Sequence, residues 1–176
     1  MNRSYSLIER AMALELSFCQ HVNRKLGSRL IQSSFAIISR LGDGIFWYSL
    51  MICLPLLYGS AGLQVSAIMF LVGVVNLSIY KVLKKKTSRA RPCAASDLIT
   101  LGAQPLDLYS FPSGHTLHAI AFSIILVSYY PFMGWVVIPF AALVAMSRVI
   151  LGLHYPTDVL AGAAIGTTTA ILALTF

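Results

Sequence analysis

Leu63–Tyr80 reads LQVSAIMFLVGVVNLSIY, without a charged side chain, and Lys81, Lys84, Lys85 and Lys86 follow at once. An apolar run of this length with a basic edge reads as a membrane-spanning helix. Upstream, Ile45–Tyr58 reads as a preceding span, with Trp47 and Tyr48 near its start as interface anchors and Gly59-Ser60-Ala61-Gly62 as the tight turn between the two. Downstream, Ser113–Tyr129 and Phe132–Leu151 read as two more, joined by a turn at Tyr130-Pro131. Pro156 suits the first position of a fifth helix running to Phe176. Residues 87–112 form the one long polar loop, where Pro92, Pro105 and Pro112 break any long helix.

The fold expected is therefore all-α: a polytopic membrane helix bundle of about five to six transmembrane helices. Residues 5–25 mix Leu7, Met12, Leu14 and Phe18 with charged neighbours, the pattern of an amphipathic helix lying on a membrane surface. Residues 28–40 are short and polar for a span and read as interfacial or partly embedded; a sixth crossing would have to pass through them. Two units are expected, an N-terminal amphipathic and interfacial segment (1–40) and a transmembrane domain (41–176). Residues 1–27 hold no uninterrupted apolar core ahead of a small-residue cleavage site, so no cleavable leader is expected.

Composition agrees. The chain has 176 residues, 57% hydrophobic and 11% charged, with a mean hydropathy of +0.78. A soluble domain would carry roughly a quarter charged residues. The net charge of +7, from 13 basic against 6 acidic residues, suits loop charges, anionic lipid or an anion site. Cys19, Cys53 and Cys93 lack metal-ligand spacing, and their odd number argues against a disulfide framework. Cys53 reads as a small core residue.

Ionisable groups at a bilayer are costly and usually functional, and three fragments concentrate them. Lys84 and Arg91 flank KKKTSRARP at Lys-x6-Arg-Pro; Pro112-Ser113-Gly114-His115 opens a helix; Ser147-Arg148 precedes His154 and Asp158 at Ser-Arg-x5-His-x3-Asp. Three fixed cations can neutralise phosphate oxygens, the arginines bidentately. Ser113 can cap the helix, Gly114 admits close backbone approach, and the free N–H groups of the first turn favour an anion. His115 can protonate a leaving oxygen. Asp158, one helical turn after His154, can hold that imidazole as nucleophile or base. Each fragment also has a plainer reading: lysines that merely flank a span, a helix cap with an incidental histidine, an interfacial histidine beside a carboxylate. In the five-span arrangement all three fragments fall on one membrane face. Asp97 and Asp107 read as solvated loop residues that shape turns.

Complete and in order, the pattern strongly resembles the type 2 phosphatidic acid phosphatase superfamily, the metal-independent lipid phosphate phosphatases, over roughly residues 40–170. The resemblance implies that Lys84, Arg91 and Arg148, with Ser113 and the backbone of Gly114, bind the phosphate. It implies that His154 attacks phosphorus to form a phosphohistidine, that Asp158 orients it, and that His115 protonates the leaving group. Arg89 matches an auxiliary position in Arg-x-Arg-Pro, and His118, on the same helical face as His115, is a further candidate for the headgroup pocket or else a packing residue. No metal or other cofactor is implied. The expected partners are a membrane lipid phosphate and the bilayer, without nucleic acid. The expected activity is hydrolysis of a phosphomonoester or diphosphate lipid: phosphatidic acid, phosphatidylglycerol phosphate or undecaprenyl diphosphate. Alternatives are a lipid A phosphatase or phosphotransferase, a vanadium haloperoxidase sharing the anion cage, and a non-catalytic lipid-binding or transport protein.

Topology is pulled two ways. Arg3, Arg10, Arg24, Lys25, Arg29 and Arg40 favour a cytoplasmic N-terminal face. The resemblance implies a bacterial inner-membrane protein with its active site at the periplasmic face.

Overall fold

The computed structural model describes residues 3–175, and every element in them is helical. In order these are α1 (Arg3–Lys25), α2 (Arg29–Arg40), a π turn (Leu41–Ile45), α3 (Phe46–Thr87), α4 (Pro92–Ala95), α5 (Gly114–Tyr129), a 3-10 turn (Pro131–Met133), α6 (Gly134–Ile150) and α7 (Pro156–Leu174). The last helix starts at Pro156 as expected and stops at Leu174; Phe176 lies outside the described residues.

α3 is two arms folded at Gly59, whose φ of 58° and ψ of −133° break the helical backbone. The reversal is visible in its contacts. Ser66 donates to the carbonyl of Met51 at 2.8 Å, and a Cβ on Gly62 would lie 2.0 Å from the Leu54 oxygen. The expected Gly59–Gly62 turn is thus a single-residue break followed by close arm-to-arm packing.

The segment 28–40 makes no crossing of its own. Ser28 caps α2, which leads through the π turn into the first arm of α3. This broken rod runs antiparallel to α6: Tyr58 stacks on Tyr130 at 4.5 Å, Phe46 leans on Phe140 at 4.1 Å with the rings tilted by 40°, Gly42 faces Val144, and Ser39 meets Arg148. The bend lies at Gly44, whose φ of 130° suits glycine; π turns inserted into helices recur at functional sites.

Trp47 is not an interface anchor. It is buried among Phe46, Phe122 and Phe140, joining α3, α5 and α6, while its neighbour Tyr48 is exposed. Cys53 also departs from expectation and faces outward; Cys19 is buried, and all three cysteines are free thiols.

Between helices in lipid, apolar burial supplies little drive, so close packing and interhelical hydrogen bonds carry the assembly. α5 and α7 show this most clearly. Gly162 and Gly166, one turn apart on α7, sit where an added Cβ would lie 2.5 Å from the Ser113 oxygen and 2.3 Å from the Leu117 oxygen. The backbones therefore meet directly, and Ser113 N–H donates to the Asp158 carbonyl at 3.0 Å.

One end of the bundle gathers the starts of α5 and α7, the ends of α3 and α6, and the 88–113 loop. The other end has the Gly59 break and the Tyr130–Gly134 turn, without charged side chains. α1 lies across the first end, tied down by Asn23 to the carbonyls of Thr100 and Ile150, both at 2.9 Å. Leu7, Met12, Leu14 and Phe18 stay exposed on it, the outward apolar face expected of a surface helix.

Candidate active site

A cavity of about 410 Å³ opens among these ends. Lys84, Arg91, Gly114, His115, His118, Arg148 and His154 line it, so the three sequence fragments meet in one place. Its far wall is apolar and belongs to the two arms of α3 and to α5: Met51, Phe70, Val74, Leu77 and Phe122. Phe70 and Val74 are also exposed on the bundle's outer surface, so the apolar end lies at the lipid-facing side.

His154 follows α6 in a short turn that closes through Gly152, at φ 72°. Its Nε2 lies 3.3 Å from Arg91 Nη1 and faces the cations; its Nδ1 faces Asp158 Oδ2 at 3.6 Å. That separation is longer than a hydrogen bond, and Nδ1 has no other partner. Asp158 is instead engaged elsewhere: Oδ2 accepts from Tyr155 N–H at 2.8 Å and Oδ1 from Arg89 Nη1 at 2.7 Å. Burial, then Arg148, Arg91 and Lys84, holds His154 well below the ordinary imidazole range, so the ring is neutral at neutral pH.

Arg91 is buried and each of its three nitrogens donates, Nη1 to the Leu153 carbonyl at 2.8 Å, Nε to the Asp107 carbonyl at 3.0 Å and Nη2 to Asp107 Oδ1 at 2.8 Å. Arg148, buried near the end of α6, donates to Ser39 and leaves Nε without a partner. His115 Nε2 stands 3.5 Å from Asp43 Oδ1.

Ser113, Arg89 and Asp158 stand behind the cavity rather than in its wall. Ser113 occupies the N-cap position, yet its hydroxyl pairs with Thr116 Oγ1 at 2.9 Å and caps no backbone N–H. Arg89 lies 4.0 Å over the Tyr155 ring and bridges Asp158 to Glu15 of α1, at 2.7 Å each. Glu15 also accepts from Thr157 N–H at 2.8 Å, placing a carboxylate at the start of α7. His118 bridges two helices, with Nδ1 2.9 Å from the Gly114 oxygen and Nε2 3.3 Å from the Gly73 oxygen.

The sequence reading missed three residues here. Asp107 is not a solvated turn former. Its Oδ1 accepts from Lys84 Nζ at 2.5 Å and Arg91 Nη2 at 2.8 Å, and its Oδ2 from Tyr80 OH at 2.6 Å. Burial alone would raise its pKa, but the Lys84 and Tyr80 hydrogen bonds and the two cations hold it below the usual carboxylate value. Tyr80, whose ring packs on Gly114, is the second. Asp43, carried on the π turn, is the third; a carboxylate between two glycines at the edge of an apolar run was its available signal.

The model of the PAP2 superfamily matches residues 61–176. The undecaprenyl-diphosphatase BcrC of Bacillus subtilis is 36% identical over 90 residues, covering 51% of this chain and 46% of that protein. A lipid A 1-phosphatase of Rhizobium johnstonii is 32% identical over 112 residues, covering 61% and 46%. The crystal structure of Aquifex aeolicus LpxE superposes with a TM-score of 0.81 at 25% identity, covering 93% of this chain and 96% of that one. The chain spans about half the length of these two curated relatives.

Proposed function

The chain belongs to the PAP2 superfamily, and from that premise we propose that it is an integral-membrane lipid phosphatase acting through a phosphohistidine. The observation that carries this reading is the cavity itself. One end is lined by Lys84, Arg91, Arg148 and two histidines, the other by apolar helix faces open toward lipid. A phosphorylated headgroup and the chain it hangs from fit those two ends.

In this reading the cations hold the phosphoryl oxygens and stabilise the charge that spreads over them during transfer. Neutral His154, protonated on Nδ1, attacks phosphorus through Nε2; the bond from phosphorus to the leaving oxygen breaks. His115 supplies the proton that this oxygen takes up. Water then attacks the phosphohistidine, releases inorganic phosphate and regenerates His154, with His115 now accepting the proton. Asp158 lies on the Nδ1 side and balances the charge the ring acquires. The relatives' names point to a polyprenyl diphosphate or lipid A 1-phosphate as substrates to offer first, beside phosphatidic acid and phosphatidylglycerol phosphate. Placement in a bacterial inner membrane, with the site at the periplasmic face, follows the same premise.

The test is phosphate release by detergent-purified protein in the presence of chelator, with these four lipids in parallel. Release from at least one is expected; release from none overturns the reading.

A pH prediction follows from His154. Because its pKa is held down, the ring stays competent as pH falls through about 6.5, where an ordinary imidazole titrates. In ring-labelled protein observed by NMR, the His154 resonance should still hold its neutral position at a pH of about 6.5, where an unperturbed imidazole is half protonated. The unfolded chain binds this proton and the folded one does not, so stability declines as pH drops below about 6.5. A His154 titration near 6.5 would contradict the burial argument.

A further inference from the structure

We propose that Asp107 is a specificity-determining residue: its carboxylate is a resident occupant of the anion cage, and a ligand enters only when its own phosphate displaces it from Lys84 and Arg91. The proposal rests on the reading of the cavity as a phosphate site.

The contacts have the form of a bound anion. Two carboxylate oxygens receive three donors, from Lys84, Arg91 and Tyr80, at 2.5 to 2.8 Å. Two of these donors belong to residues whose cationic groups line the cavity beside His154. A phosphoryl group within reach of His154 Nε2 would need the same donors.

The carboxylate is carried on a segment built to leave. Backbone-to-backbone hydrogen bonds anchor the loop at Gly102, to the Leu151 carbonyl at 3.2 Å, and at Ser110, to the Arg89 carbonyl at 2.8 Å. Between them, among the described residues, the cage side chains hold the loop: Lys84 on the Tyr109 carbonyl at 2.6 Å and Arg91 on the Asp107 carbonyl at 3.0 Å. Leu106 and Leu108, on either side of Asp107, are 64% and 83% exposed. Losing the Asp107 contacts therefore strips little apolar packing from its neighbours.

Charge decides which ligands succeed. The cage has three cations, and Asp107 brings one negative charge to two of them. Arg148 keeps a buried Nε donor without a partner. A terminal phosphate dianion offers a second charge and more acceptor oxygens, enough to engage all three cations. A phosphodiester monoanion brings no more charge than the carboxylate it must expel. Asp107 thus favours terminal phosphates over the diester headgroups that crowd a bilayer.

The apparent affinity of a site blocked part of the time is reduced by the fraction open. Isothermal titration of inorganic phosphate into detergent-purified Asp107→Asn should therefore show binding about tenfold tighter or more than wild type. Dimethyl phosphate, a monoanionic diester, should bind the variant and fail to bind wild type. Hydrogen exchange on the wild-type protein supplies a second readout that needs no variant. Residues 103–109 should exchange faster with phosphate bound, the reverse of ordinary ligand protection. Wild-type binding with no gain in a folded Asp107→Asn, or slower exchange at 103–109 on binding, overturns the inference alone. Failure of every form to bind phosphate overturns the phosphate-site reading beneath it.

Discussion

Replacing His154 with alanine is expected to lower phosphate release by at least about a thousandfold, because the proposed reaction loses the atom that attacks phosphorus. The cations should still bind phosphate, so KM should change by much less than kcat. His154 is buried in a turn closed by its own backbone, with its N–H donating to the Arg148 carbonyl at 3.0 Å, a bond that survives truncation. The alanine variant should therefore fold. It should also fail to retain radiolabel from a labelled lipid phosphate under alkaline quench, where a phosphohistidine persists in wild type. Activity within tenfold of wild type in this variant would remove His154 from the chemistry.

The second large effect is one of packing. Gly166→Leu on α7 should lower the thermal midpoint in detergent steeply and abolish activity at ordinary temperatures. The Cβ alone would fall 2.3 Å from the Leu117 oxygen, a backbone atom that no rotamer change relieves. Overpacking of a tight contact costs about 1–3 kcal/mol even when side chains can yield, and here two helices must part. Parting them also separates Gly114 and His115 from His154, and a misplacement of about 1 Å can cost about a hundredfold in rate. Gly162→Ala should act in the same direction and more weakly, against the Ser113 oxygen at 2.5 Å. Gly59→Ala is the contrast: nothing lies within 4 Å of its added Cβ, and only the positive-φ backbone is strained, at about 1–3 kcal/mol. Equal losses for Gly59→Ala and Gly166→Leu would show that the α5–α7 contact is not what holds the site.

What could be read from the chain beforehand divides along a physical line. Lys84, Arg148, His115 and His154 were legible because each is an ionisable group at or near the edge of an apolar run, where its cost demands a use, and Arg91 through its spacing from Lys84. The helices were legible because backbone in lipid has few ways to satisfy itself. Asp107 was not legible: a carboxylate in a proline-bearing loop looks the same whether it faces water or two cations, and only tertiary structure separates the cases. Trp47 failed for a related reason, since an indole near the start of a span suits a lipid interface and a helix junction equally. The 28–40 segment was legible as too short and polar for a span of its own, but not its packing: Ser39 turns inward to Arg148.

The open flank between the arms of α3, where Phe70 and Val74 form both cavity wall and outer surface, bears on how turnover ends. Moving a hydrocarbon chain into water costs about 0.8 kcal/mol per methylene, so a site closed on all sides would have to repay tens of kcal/mol for each lipid it took in and gave back. With one flank open, the chain need never leave the bilayer. In the proposed reaction the two products would then part into different phases, phosphate to the aqueous side and the dephosphorylated lipid along the plane of the membrane. Neither has to wait on the other's solubility.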